Sequence, residues 1–235
     1  MSKTNPGRYF EDFRLGQMIQ HATPRTVTVG DVAVYTALHG PRFALFSSDA
    51  FAQACGLDRA PIDPLLVFHI VFGKSVPDIS LNAVANLGYA EGRFLAPVFP
   101  GDTLSARSEV IGLKENSNRR TGVVYVRTTG VNQAGGAVLE YVRWVMVRKG
   151  DESAAVDEHV PTLAGAVSAD QLAVPSALEF AAYDYGLAGS GCAWEDYAVG
   201  ERIDHVDGMA VEEAEQQLAT RLYQNTAKVH FNQFE

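Results

Sequence analysis

The sequence predicts an α+β fold in which an antiparallel sheet wraps one apolar helix, and three observations predict it. Four consecutive stretches rich in Val, Thr, Tyr and Phe are joined by short turns, as antiparallel neighbours are. One helical stretch ahead of them is apolar on nearly every side, so something must surround it. A run near the C-terminus also repeats the N-terminal run at constant spacing.

In chain order, Arg8 to Ile19 is a short extended opening with a turn at Leu15-Gly16. Thr28-x-x-Asp31 spells a capping box and predicts a helix to about Leu38, which Gly40-Pro41 stops. A short helical turn is expected at Phe51 to Cys55. Pro61 to Val76 predicts the apolar helix, opened by prolines and ended before Pro77. Strands follow over Val84 to Phe94, Thr103 to Leu113, Gly122 to Asn132 and Val138 to Val147. Pro100-Gly101-Asp102, Asn116-Ser117-Asn118 and Gln133-Ala134-Gly135-Gly136 supply the turns between them. From Asp151 to Pro175 the periodicity is lost, as in a linker.

At an offset of 184, Phe10-Glu11-Asp12-Phe13 matches Trp194-Glu195-Asp196-Tyr197. The same register pairs Leu15-Gly16 with Val199-Gly200, Ile19 with Ile203, His21 with His205, Asp31 with Glu215 and Leu38 with Leu222. An ungapped register of this length indicates duplication. The expected organisation is a first domain over 1–150, a linker over 151–190 and the start of a second copy over 191–235. That second copy stops after its opening helix, so truncation is the expectation.

Composition narrows the class. Of 235 residues, 47% are hydrophobic and 20% charged, as in a soluble globular chain. The longest apolar stretch, Leu65 to Phe72, is too short to cross a bilayer, and the first thirty residues lack a secretory pattern. Two distant cysteines, Cys55 and Cys192, fit a reducing, cytoplasmic setting. The net charge of −9 makes nucleic acid an unexpected partner, and no membrane partner is expected. Residues 1–150 nevertheless hold 16 Lys/Arg against 12 Asp/Glu, so that part could hold an anionic ligand; residues 151–235 hold 3 against 16. No phosphate-binding Gly-rich loop, Gly-x-Ser-x-Gly elbow or zinc spacing is present, which leaves no motif for nucleotide, dinucleotide, serine-hydrolase or zinc chemistry.

Leu95-Ala96-Pro97-Val98-Phe99-Pro100-Gly101-Asp102 and Ala60-Pro61-Ile62 are distinctive. Together with RAPIDPLLVFHIVFGKSVPDISLNAVANLGYAEGRF, VLEYVRWVMVRK and YQNTAKVHFNQ, they resemble the MaoC-like (R)-specific enoyl-CoA hydratases, in their double hot-dog form. The resemblance implies a hot-dog fold, the N-terminal half of a double hot-dog with the second copy incomplete. It implies a lyase acting on an acyl-CoA, with reversible hydration of mesaconyl-CoA to β-methylmalyl-CoA as the expected reaction. No cofactor is implied, CoA being part of the substrate, and a homodimer is expected because hot-dog sheets pair edge to edge.

That family's loop carries an aspartate and, five residues on, a histidine. In the first copy Pro41 and Phe46 fall on those places, so the resemblance implies a silent half. In the second copy Asn225 and His230 do, and these are the implied catalytic residues, with Asn225 departing from the family's aspartate. An amide orients water but does not take its proton. The resemblance further places substrate contacts at Ala60, Pro61, Ile62 and Asp63, at Asn86, Leu87, Gly88 and Tyr89, and at Pro97, Val98 and Phe99. By position alone these are equally a helix start, a strand and a turn entry. Arg93 could meet a substrate carboxylate or lie beside its strand, and His69 is expected as a core-facing helix residue. Two other functions stay open: a non-catalytic acyl-CoA-binding module and a hot-dog thioesterase.

Overall fold

A computed structural model describes residues 3–234. The chain opens with a 3₁₀ turn at Phe10–Asp12, closed by Asp12, whose Oδ2 accepts the Tyr9 N–H at 2.9 Å. Two short strands follow, β1 (Met18–Gln20) and β2 (Arg25–Thr26), and then helix α1 (Val29–His39). The capping box of α1 is formed: Thr28 Oγ1 accepts from the Asp31 N–H at 3.2 Å, and Asp31 Oδ2 accepts from the Thr28 N–H at 2.8 Å. Gly40 ends the helix in the left-handed region at φ 58, where a side chain would be strained. Two short helices, α2 (Ala44–Ser47) and α3 (Asp49–Ala54), lead to the long apolar helix α4 (Pro64–Ile79).

Helix α4 differs from expectation at both ends. It starts three residues later, because Asp63 is the cap: its Oδ1 accepts the Leu65 N–H at 2.8 Å, and Pro64 takes the first helical position. It also runs through Pro77 to Ile79. A proline this close to the end costs the helix a single backbone bond, and Ile79 is held by the core beyond it.

Strands β3 (Ala83–Phe94), β4 (Thr103–Glu115), β5 (Thr121–Val131) and β6 (Ala137–Arg148) form an antiparallel sheet in the order β1-β4-β5-β6-β3, with β2 also on β4. The four long strands lie within two residues of the expected bounds. The sheet curls round α4, whose residues Leu66, Val67, Ile70, Val71, Val76 and Ile79 are all buried. One core cluster joins the first half of α4 to Val27, Leu38, Val98, Leu104 and Leu139. A second joins Ile79 to Phe10, Phe13, Val124, Val145 and Val147. At about 1.5–3 kcal/mol for each fully buried large apolar side chain, these two clusters dominate the fold's stability.

The segment after β6 is pinned along the sheet. His159 pairs with Leu113 through two backbone bonds of 2.8 and 2.9 Å, and the Ala164 N–H donates to Glu91 Oε1 at 3.1 Å. Leu178 and Tyr183 pack against Phe51 and Cys55.

Beyond this point the local geometry of the N-terminus recurs. Trp194–Asp196 is a 3₁₀ turn closed by Asp196 accepting the Ala193 N–H at 2.7 Å, as Asp12 does for Tyr9. Gly200 has φ 83 where Gly16 has φ 74. Helix α5 (Glu213–Leu222) matches α1, and Gln224 takes φ 54 opposite Gly40. The surroundings differ. Phe10 is fully buried, whereas its counterpart Trp194 is 89% exposed. The end of the tail docks: α5 packs on α1, and Leu222 joins the core cluster that holds its counterpart Leu38.

Candidate functional site

The tail reaches the central helix at Gly73. A Cβ there would run into the Tyr223 carbonyl oxygen and lie 3.3 Å from the Asn225 amide nitrogen, so glycine is what lets the two backbones meet. The Arg25 guanidinium anchors the same junction by donating to the Leu222 carbonyl while pairing with Asp31. Tyr223 sits between two imidazoles. Its hydroxyl shares a 2.6 Å hydrogen bond with His39 Nε2, and its ring stacks on His69 at 4.3 Å between centroids.

Burial favours the neutral forms of His69 and Tyr223. It lowers the His69 pKa, with His39 adding to the shift and Asp63 opposing it. Burial, with the Asp63 charge adding, pushes the Tyr223 hydroxyl up to about 12.

Between this junction and the C-terminal half of α4 lies a cavity of about 670 Å³. Its wall includes Lys74, Asp78, Arg221, Asn225, Thr226 and Phe231. Lys74 is 4% exposed and its ammonium donates to the Thr23 carbonyl. Burial, with the nearby Arg25 charge adding, brings its pKa down to about 8. Asp78 is already engaged, with Arg8 at 3.2 Å and His21 Nδ1 at 2.9 Å.

His230 lies on a 3₁₀ turn, Lys228–His230, at an adjoining depression of about 420 Å³. Gln217 and Phe231 line both spaces and form the wall they share. Asn225 Oδ1 accepts the Ala227 N–H at 3.0 Å, which fixes the loop between Asn225 and His230. The two expected catalytic residues therefore face neighbouring spaces.

The expected substrate-contact residues lie elsewhere. Ile62 and Val98 are buried and bonded to each other, N–H to carbonyl at 2.7 Å, which brings Ala60, Pro61 and Asp63 beside Pro97 and Phe99. Phe99 carries Arg59 over its ring. Asn86, Leu87, Gly88 and Tyr89 lie on the edge strand β3, where the Tyr89 ring meets Phe68 and Tyr141. None of these eleven residues lines either cavity. Arg93 pairs with Glu140 at 2.8 Å. In the first copy's loop, Phe46 packs edge-on to Phe43, and Pro41 precedes α2.

Lys74, Tyr223 and His39 were not among the expected site residues. Lys74 had a signal in the sequence: apart from His69 it is the one ionisable side chain between Leu65 and Val76.

A Ser-His-Asp arrangement also exists. His21 Nε2 is 2.7 Å from Ser108 Oγ and its Nδ1 is 2.9 Å from Asp78. Ser108 is fully buried, however, and lines neither of the two cavities described above. Among the described residues no group of three His, Cys, Asp or Glu side chains is placed to hold a metal ion, and no helix is long and apolar enough to cross a membrane.

Comparison with known proteins bears on this geometry. A family model described as mesaconyl-CoA hydratase matches residues 2–179. A mesaconyl-CoA hydratase of Cereibacter sphaeroides is 67% identical over 231 residues, which are 98% of this chain and 67% of that protein. A β-methylmalyl-CoA dehydratase of Chloroflexus aurantiacus is 65% identical over 98% of this chain and 66% of its own length. The chain thus spans about two thirds of the curated relatives it matches. A crystal structure of a MaoC domain dehydratase from Chloroflexus aurantiacus superposes with TM-score 0.95 at 64% identity, covering 99% of this chain and 66% of that one. A Mycobacterium tuberculosis protein with a double hotdog fold matches at TM-score 0.67 and 23% identity, a likeness of fold.

Proposed function

Since this chain belongs to the mesaconyl-CoA hydratase family, we propose that it serves the reversible hydration of mesaconyl-CoA to β-methylmalyl-CoA, with His230 and Asn225 as its working residues. The observation that carries the reading is the kinship over 98% of the chain with relatives named for the two directions of that reaction. The docked tail supports it by setting Asn225 against the central helix and His230 one wall away.

In the hydration direction the π bond of the thioester-conjugated alkene breaks. Water oxygen bonds to the β-carbon and a proton goes to the α-carbon. His230 moves that proton, a service worth roughly 10²–10⁴-fold. Asn225, an amide, orients water or substrate. The developing charge on the thioester oxygen is met by backbone N–H groups. Leu87 and Tyr89, exposed on β3, offer an apolar wall for the acyl-CoA arm; Ile62 and Val98 support the fold from the core.

The same reading assigns 1–150 to a catalytically silent hot-dog domain, 151–190 to a linker and 191–235 to the opening of a second copy. The recurrence of turn, glycine and helix 184 residues on supports that division. It also gives the chain a second copy as partner through the edge strand β3, and a cytoplasmic setting in which Cys55 and Cys192 stay free.

The test is incubation of the purified chain with mesaconyl-CoA, following loss of the conjugated enoyl-thioester absorbance and formation of β-methylmalyl-CoA. Turnover that drops at least 100-fold in His230→Ala supports the assignment. Turnover unchanged by that substitution removes His230 from the mechanism. Binding of CoA thioesters without any turnover favours instead a non-catalytic acyl-CoA module, a reading that the exposed His230 and the silent Pro41 and Phe46 also fit.

A further inference from the structure

We infer that Lys74, with Arg221 opposite, is the group that recognises the free carboxylate of a dicarboxylic acyl-CoA, and that the cavity between α4 and the docked tail is where that carboxylate lies. The inference rests on the acyl-CoA reading above and extends it from the reaction to the choice of substrate.

A buried ammonium is expected to sit beside a carboxylate. Lys74 is 4% exposed, yet it forms no ion pair among the described residues and has only the Thr23 carbonyl as a partner. Among the described residues the one carboxylate on the cavity wall, Asp78, is held by Arg8 and His21. Arg221 lines the same space from the tail and is likewise outside every ion pair described. Lys74, Arg221 and Asn225 thus line one space whose only acid among the described residues is occupied. An anion of the size of a carboxylate satisfies that arrangement.

Chemistry then says which anion. The acyl group of mesaconyl-CoA ends in a carboxylate attached to the β-carbon, the atom that receives the water oxygen. A cation that grips this carboxylate next to Asn225 fixes the β-carbon at the loop that carries His230. An alkene bearing methyl in place of the carboxylate leaves Lys74 buried without a counter-charge, and such a site rejects it. The phosphates of CoA are the competing source of negative charge, and the ligands below separate the two.

The experiment is calorimetric binding to the full 235-residue chain of two saturated thioesters that cannot react: methylsuccinyl-CoA and 2-methylbutyryl-CoA, which carries methyl where the first carries the carboxylate. The wild type should prefer the dicarboxylic ligand by on the order of 10- to 100-fold, the range of a charge-assisted hydrogen bond. Lys74→Met should erase that preference, and Lys74→Arg should retain part of it. Arg221→Gln, an exposed change that leaves the core untouched, should reduce it several-fold. Equal loss for both ligands in Lys74→Met means a CoA phosphate is gripped and overturns the inference, as does a preference that survives Lys74→Met and Arg221→Gln. If the wild type binds both ligands equally, the carboxylate assignment alone fails. If it binds neither, the acyl-CoA reading fails and takes the inference with it.

Discussion

Replacing Lys74 by Met should make this protein more stable at neutral pH. Lys74 is buried in α4, and its pKa falls from 10.5 to about 8. Each pKa unit is worth 1.36 kcal/mol, so keeping the ammonium charged in the fold costs roughly 3 kcal/mol at pH 7. Methionine, of similar length and without charge, removes that cost and packs among the same neighbours. Against it stands the lost bond to the Thr23 carbonyl, about 1–2 kcal/mol. The net expectation is a gain of about 1–2 kcal/mol. With a urea m-value of about 2 kcal/mol/M, the denaturation midpoint should rise by about 0.5–1 M. The pH dependence carries the sign. The folded pKa is the depressed one, so the unfolded chain holds the extra proton between about pH 8 and 10.5. The penalty is complete below pH 8 and gone above 10.5. Arg25 on β2, Arg221 on α5 and Asp78 on α4 lie in the same region and are common to both proteins. The advantage of Lys74→Met should therefore shrink through that window and reverse at its top, where only the missing hydrogen bond remains. A variant that is less stable at pH 7, or a gap that stays flat with pH, refutes the reasoning.

Three further outcomes are expected. Gly73→Ala should push the tail off the central helix, because its Cβ meets the Tyr223 carbonyl; faster amide exchange and proteolysis confined to residues beyond about 213 would show it, and unchanged protection there would contradict the close approach. His21 is buried and its pKa is lowered, burial outweighing the pull of Asp78, so the unfolded chain takes a proton the fold refuses. Stability should therefore fall as pH drops below about 6.5, and His21→Gln should flatten that acid limb in urea titrations. Tyr223→Phe removes the hydrogen bond to His39 but keeps the stack on His69, so it should cost about 1 kcal/mol; a much larger loss would make the hydroxyl more than a tether.

Much of the fold was legible because it rests on short-range signals. Val/Thr/Tyr alternation and Gly or Asn turns placed the four strands of the sheet, and Thr28 with Asp31 placed α1. The end of α4 lies beyond the expected stop because a proline stops a helix only where its lost bond matters, and at Pro77 the core holds the last turn. The segment after β6 lacked periodicity, so its backbone pairing with Leu113 and its hold on Glu91 could not be read from residue types. At the site, the 184-residue register pointed to Asn225 and His230, but only the folded chain shows Tyr223 against Gly73 and Lys74 beside Asn225. The lone lysine in an apolar helix is the signal of this site that residue type carries.

The contact between His39 and Tyr223 joins residues 184 apart, the spacing of the repeat itself. On the proposed duplication, both descend from one ancestral position. A position that touches its own counterpart sits on the line about which two related halves rotate into one another, as in a symmetric pair of separate chains. While two such halves are identical, any substitution at that spot strikes twice and must suit itself. On that duplication, gene fusion frees the two sides to differ: one is an imidazole and the other a phenol, and the phenol stacks on His69. Asymmetry at the pivot is thus the first licence a fused pair has to keep one half as scaffold and to specialise the other.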